Sequence, residues 1–136
     1  VFAVNKQEAE RLLEKQSDSF VELSLPFIKL GAKYVVITDG ENGSYATNGQ
    51  ELWKCGVFPG KVVERTGAGD SYTLGFVFGL HKTHSIPEAM RYGTANSWSV
   101  VQHVGPHAGL LTKEQMEQTL RKFQRIQPKL LKLSSR

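Results

Sequence analysis

The chain has 136 residues, enough for one domain with a sizeable core. Apolar residues make up 40% and charged residues 22%, with a net charge of +4. That balance is ordinary for a globular protein, and no apolar run is long enough for a transmembrane helix. The start, VFAVNKQEAERLL, has neither an initiator Met nor the basic-then-apolar order of a signal peptide, and it reads as the interior of a longer protein. Cys55 is the single cysteine, which rules out an intramolecular disulfide and points to a reducing cytoplasm. From Arg121 onward, Lys122, Arg125, Lys129, Lys132 and Arg136 follow with no acid among them. Such a run can bind nucleic acid, but Phe123 is its one aromatic and no binding module surrounds it. A solvated last helix and a frayed basic tail over 126–136 is the preferred reading.

In chain order, VFAVN reads as a buried strand that runs into a helix over 5–15, with Ala9, Leu12 and Leu13 on one face. Residues 18–31 repeat the helical pattern and stop at Gly31. KYVVITDG is rich in β-branched residues and predicts a fully buried strand. SYAT and ELWKCGV, separated by NGQ, predict a hairpin that lies antiparallel at the edge of a sheet. Residues 70–82 are apolar on every side, the pattern of a helix buried between layers. SIPEAMRYGTANSWSVVQHV opens another helix, with Ser85 as cap and Pro87 in its first turn. Its small residues Ala89, Gly93, Ala95 and Ser97 suit close approach to a neighbouring helix. TKEQMEQTLRKFQ closes the pattern with an amphipathic helix capped by Thr112. Helices interleaved with strands define an α/β class.

The chemistry concentrates in VVERTGAGDSYTLGF, residues 62–76. At a helix start the first backbone N–H groups lack partners and the dipole is positive. The small residues Gly67, Ala68 and Gly69 would let a phosphate or an oxyanion reach those groups. A carboxylate in the same turn, Asp70, could then accept a proton from an attacking hydroxyl, as phosphoryl transfer requires. The plainer reading is an acid at a helix N-terminus after a glycine turn. Other candidates are weaker. His81 with His84, and His103 with His107, have zinc-like spacing without a completing Cys or acid. There is no Walker A motif, and Tyr72 occupies the third glycine position of a dinucleotide fingerprint.

VVERTGAGDSYTLGF resembles the C-terminal signature of the ribokinase-like (PfkB) carbohydrate kinases, with the TGAGD core intact at Thr66–Asp70. VNKQEAERLL is similar to the family's N-x-x-E segment through Asn5 and Glu8. VVITDGENGSY is similar to its strand and glycine loop through Thr38, Gly40 and Gly43, and PEAMRYGTANSWSVV to the helix after the catalytic one. The resemblance implies the C-terminal part of a three-layer α/β/α fold, its sheet mostly parallel with an antiparallel edge hairpin. It implies ATP-dependent phosphorylation of a sugar or nucleoside hydroxyl, with Asp70 as base and the backbone of Gly67, Ala68 and Gly69 as anion hole. Asn5 and Glu8 would organise Mg²⁺ and phosphates, Glu8 serving the metal largely through water. Without a metal the same pair is a capping box.

Thr38, Gly40 and Gly43 would shape the nucleotide pocket, for which the plain alternative is a tight turn between strands. Thr94 and Asn96 fall where the family lines its adenine site, or serve packing alone. The resemblance covers residues 1–136 as the nucleotide-binding and catalytic portion of a kinase whose N-terminal half and lid are absent. By itself such a portion is expected to be inactive, and a homodimeric parent fits the resemblance. A non-catalytic nucleotide-binding or regulatory module is the alternative, with no membrane partner and nucleic acid disfavoured. Two departures stand out: Glu64 replaces the usual Asp, and Arg65 a small polar residue. The family's monovalent-cation loop would fall around Val100, His103, Gly105 and Gly109, where HVGPHAG departs from the usual pattern and leaves cation activation open.

Overall fold

A computed structural model of the chain describes residues 1–104 and 110–131. Strand β1 (Phe2–Asn5) leads into helices α1 (Lys6–Leu13) and α2 (Phe20–Lys29), then β2 (Val35–Thr38). A 3-10 turn over Gly40–Asn42 joins β2 to β3 (Ser44–Thr47), and β4 (Leu52–Cys55) follows. Helices α3 (Ala68–Thr83), α4 (Ile86–Val100) and α5 (Lys113–Lys122) come next, and β5 (Lys129–Leu131) ends the described chain.

The five strands form one sheet in the order β1-β2-β3-β4-β5. Only β1 and β2 run parallel; the β2–β3, β3–β4 and β4–β5 pairs are antiparallel. The expectation of a mostly parallel sheet therefore fails among the described residues. Connection length explains the β2–β3 and β3–β4 pairs, though not β4–β5, which three helices separate. Two helices link β1 to β2 and give the chain room to cross over, whereas the short links after β2 and β3 allow only reversal. The expected hairpin is present as β3 and β4, but it lies inside the sheet.

Its outer neighbour is β5, in a segment expected to be a frayed basic tail over 126–136. Leu130 and Leu131 pair with Trp53 and Leu52, so the tail reading is corrected through Leu131. The alternating apolar and basic residues of this segment satisfy a half-exposed edge strand as well as a solvated end. Residues 132–136 lie outside the described residues.

Helices cover both sheet faces. On one, Phe2, Val35, Ile37 and Leu52 pack with Ala9, Phe20, Leu23 and Phe27 of α1 and α2. On the other, Val36, Ala46 and Cys55 pack with Tyr72 and Phe76 of α3 and with Ala89 and Met90 of α4. Three layers result. The small residues foreseen in α4 allow α3 and α4 to meet at backbone distance. A methyl group added at Gly75 would stand 2.6 Å from the Tyr92 carbonyl oxygen, and one at Gly93 would stand 2.8 Å from that of Tyr72. Burial of α3 on all sides is not found, however: Leu74 is 57% exposed and Phe78 51%, with Val77 between them. Residues 72, 75, 76 and 79 form the buried stripe. An apolar residue can occupy either face of a helix, so composition could not reveal which face was covered.

Arg91 ties α4 to the end of the chain. It is 6% exposed, yet no acid partners it among the described residues. Its guanidinium donates to the carbonyls of Leu120 (2.8 Å), Phe123 (3.0 Å) and Ile126 (3.2 Å). The first two belong to the last turn of α5 and its C-cap, where unpaired carbonyls and the negative end of the helix dipole favour a cation. Replacing Arg91 by Leu should lower stability by about 2–3 kcal/mol, because three acceptors lose their donor. Arg91→Lys should recover only part of that, since an ammonium lacks the planar fork. Urea-unfolding midpoints test this; an unshifted midpoint in Arg91→Leu would show that water replaces the guanidinium without penalty.

Candidate active site

The site lies where β1, β2 and the first turn of α3 converge. Gly67 is the N-cap of α3 with φ 83°, a left-handed conformation that costs glycine nothing and other residues strain. The helix begins at Ala68, two residues before the predicted start, so Ala68 and Gly69 form its first turn with Asp70. The Ala68 N–H donates to the Arg65 carbonyl at 3.0 Å. The N–H groups of Gly69 and Asp70 have no partner among the described residues, and they are the donors an anion would meet. The Ala68 amide is thus committed to the turn, a narrower anion hole than the sequence suggests.

Gly69 differs from its neighbours. Its φ is not positive, and an added methyl group would meet nothing within 4 Å. Neither backbone strain nor packing asks for glycine at this position. The side chain it lacks would enter open space that two clefts share.

The first cleft, about 210 Å³, is lined by Asn5, Glu8, Thr38, Gly67, Gly69 and Asp70, with Ala3, Val4 and Thr73 completing it. The second, about 420 Å³, adjoins it through Asn5, Thr38 and Gly69 and extends to Gly40, Gly43, Ala68 and Thr94. Residues far apart in sequence, from β1, the glycine loop, α3 and α4, thus meet at one place. Asn96 does not join them. Its side-chain amide donates to the Ser71 carbonyl at 3.3 Å and its carbonyl accepts from the Leu111 N–H at 3.4 Å, so it works as packing between α4, α3 and the start of the last helix.

Asn5 and Glu8 realise the capping box: the Glu8 N–H donates to Asn5 Oδ1 at 2.8 Å and the Asn5 N–H to Glu8 Oε1 at 2.9 Å. This bond orients the Glu8 carboxylate while leaving its second oxygen uncommitted among the described residues. Thr94 donates to the Met90 carbonyl at 2.6 Å and lies 3.6 Å from Cys55 Sγ. Tyr72 shares a buried 2.7 Å hydrogen bond with Ser44, which fastens the first turns of α3 to the strand leaving the glycine loop. Burial pushes the Tyr72 phenol and the Cys55 thiol up, so both stay neutral at working pH.

The sequence reading missed the apolar wall of the larger cleft: Val57, Phe58 and Val62 from the segment after β4, Trp98 from α4 and Val101 at its C-cap. The Trp98 indole N–H donates to the Pro59 carbonyl at 2.8 Å and pins that segment to α4. Nothing periodic marks residues 56–62, but the 94, 98 and 101 spacing on one helix face was a usable signal. Around the expected cation loop, Val100 is buried and the His103 ring nitrogen Nδ1 lies 2.7 Å from the Ser99 carbonyl oxygen. Gly105, His107 and Gly109 lie outside the described residues. Among the described residues no group of three His, Cys, Asp or Glu side chains is arranged to hold a metal, and no helix is long and apolar enough to cross a membrane.

A mixed sheet covered on both faces, with a glycine-opened helix N-terminus beside an acid and two adjoining clefts at one end, defines a three-layer α/β class of protein. Residues 1–113 match the pfkB family of carbohydrate kinases, and the chain belongs to that family. It is similar to the 5-dehydro-2-deoxygluconokinase of Geobacillus thermodenitrificans, 34% identical over 128 residues that cover 93% of this chain and 35% of the relative. It is also similar to the fructoselysine 6-kinase of Shigella flexneri, 36% identical over 91 residues that cover 66% of this chain and 35% of the relative. The chain thus spans 35% of the length of these curated relatives. Among solved structures, the Arabidopsis thaliana ribokinase complexed with ribose and ATP superposes with a TM-score of 0.78 at 27% identity, over 88% of this chain and 40% of that one.

The two loop glycines should respond differently to substitution. Gly40 has φ 55° with room around it, whereas Gly43 has φ 96° and an added methyl would overlap the Cys55 carbonyl oxygen. Gly40→Ala should cost about 1–2 kcal/mol from the left-handed backbone alone. Gly43→Ala should cost more, because β4 must also move. Thermal unfolding of the two variants checks the order, and equal losses would mean the loop and β4 separate easily.

Proposed function

We propose that the chain is the nucleotide-binding and catalytic portion of an ATP-dependent kinase that phosphorylates a hydroxyl of a sugar or nucleoside. The observation that carries this is Gly69, a glycine the fold does not require, beside unpartnered N–H groups and Asp70 at the junction of the clefts. Space kept clear at a helix N-terminus suits an incoming phosphoryl group. The apolar wall of Val57, Phe58 and Trp98 suits a base, and the polar wall of Thr38, Gly40 and Gly43 suits its phosphates.

In this reading Asp70 accepts the proton of the acceptor hydroxyl as that oxygen bonds to the γ-phosphorus. The bond from phosphorus to the β–γ bridging oxygen breaks, and ADP leaves with that electron pair. The Gly69 and Asp70 N–H groups hold the charge that builds on the transferring phosphoryl oxygens. Asn5 and Glu8 fit Mg²⁺ as hard oxygen donors, few enough that phosphates and water would fill the remaining positions. Such an ion, bound with the nucleotide, would supply neutralisation of the phosphate charge. The two relatives' names specify different acceptors, and the residues that choose the acceptor here are proposed to lie outside this chain.

Asp70→Asn in the full-length protein should lower turnover by about 10²–10⁴-fold while ATP affinity stays within a few-fold. A coupled assay beside calorimetry measures both, and near-normal turnover would sink the assignment of the base. Gly69→Val separates an anion hole from a mere turn. With no strain or clash at Gly69, the variant should fold with stability within about 1 kcal/mol of the unsubstituted protein. Turnover should nevertheless fall at least about 10²-fold, as the new side chain denies the phosphoryl group its donors. A folded Gly69→Val protein that works normally would return these glycines to a purely structural role.

A further inference from the structure

Arg65 stands where the family resemblance predicts a small polar residue, and the structure places it across the phosphate side of the site. Its side chain lines the 420 Å³ cleft and also an outer groove formed by Asn5, Lys6, Asp39, Gly40 and Glu41 with their neighbours. Its Nη1 atom lies 4.0 Å from where a methyl group on Gly40 would be. The guanidinium therefore bridges from the turn before α3 to the glycine loop.

Charge makes this position informative. Among the described residues lining the large cleft, Arg65 is the one cation, and Glu41 is the one acid. In the outer groove the other cation, Lys6, is held by Asp18 at 3.1 Å. Asp39 and Glu41 flank the groove, yet neither pairs with Arg65, whose side chain has no ion pair or hydrogen bond among the described residues. A nucleotide triphosphate entering this cleft would meet two backbone N–H donors and one uncommitted guanidinium. An arginine fork matches two phosphate oxygens at once and carries a full positive charge, which a small polar side chain cannot do.

We infer that Arg65 clamps the β- and γ-phosphates of the nucleotide and gives this site its preference for a triphosphate over a monophosphate. The inference rests on the kinase reading above and adds a residue to it. An arginine here also spans the gap between the α3 turn and the glycine loop, so the bound triphosphate would join two elements that otherwise touch little.

The test measures binding of ATP, ADP and AMP by calorimetry to the full-length protein and to its Arg65→Gln and Arg65→Lys forms, in the presence of Mg²⁺. Arg65→Gln should weaken ATP binding by at least about tenfold and leave AMP binding within about twofold. Arg65→Lys should fall between, and added salt should weaken ATP binding less in Arg65→Gln than in the unsubstituted protein. Thermal unfolding should not change, because the side chain is exposed. Equal ATP-to-AMP preference in the unsubstituted and Arg65→Gln proteins overturns the clamp while leaving the kinase reading intact. Equal loss of ATP and AMP affinity overturns it too, by assigning Arg65 to the shape of the pocket. If the unsubstituted protein binds no adenine nucleotide, the kinase reading fails and the clamp fails with it.

Discussion

The contact between α3 and α4 governs the rest of the structure. Gly75 and Gly93 let the two backbones approach to distances that no side chain at those positions would allow. The approach fixes the axis of α3, and therefore where its first turn opens. It also buries Tyr72, whose hydroxyl reaches Ser44 on the strand that leaves the glycine loop. The helix pair is thus connected to the glycine loop. Helix packing at native density transmits small displacements, so the geometry at Asp70 depends on residues one and two turns below it.

Three glycines near the site answer to three different causes. Gly67 accommodates a left-handed backbone at the N-cap of α3, and Gly43 lets the loop lie against the Cys55 carbonyl. Both would be needed in a protein with no ligand. Gly69 has neither excuse, and its empty side faces the clefts. A residue whose identity the fold leaves free, placed where chemistry is plausible on other grounds, is better evidence for a site than one required twice over.

The electrostatics of the site are sparse. Its positive charge comes from the Gly69 and Asp70 N–H groups and from the Arg65 guanidinium, and the backbone donors act without reorganisation because the helix holds them in place. Asp70 and Glu8 bring negative charge to the smaller cleft, and the capping box with Asn5 orients one of them. Structural cap and proposed metal support are the same pair of side chains, so the local helix signal and the functional signal coincide. The exposed apolar face of α3, with Leu74, Val77 and Phe78, stands apart from this chemistry.

Local order was legible in the sequence. Ser85 and Thr112 cap helices as their side chains predict, β-branched residues mark β2, and TGAGD marks the start of α3, because capping and propensity act over a few neighbouring residues. The pairing of Asn5, Thr38 and Asp70 at one place was legible only through family resemblance. Strand direction, the capture of residues 129–131 by β4, the exposed side of α3 and the withdrawal of Asn96 into packing were settled by tertiary contacts. So were the apolar wall of Phe58 and Trp98 and the reach of Arg65 toward Gly40. Each depends on which surfaces meet across long sequence separations. A chain's local pattern states that a residue is apolar, small or charged, and only the packed structure decides what stands opposite it.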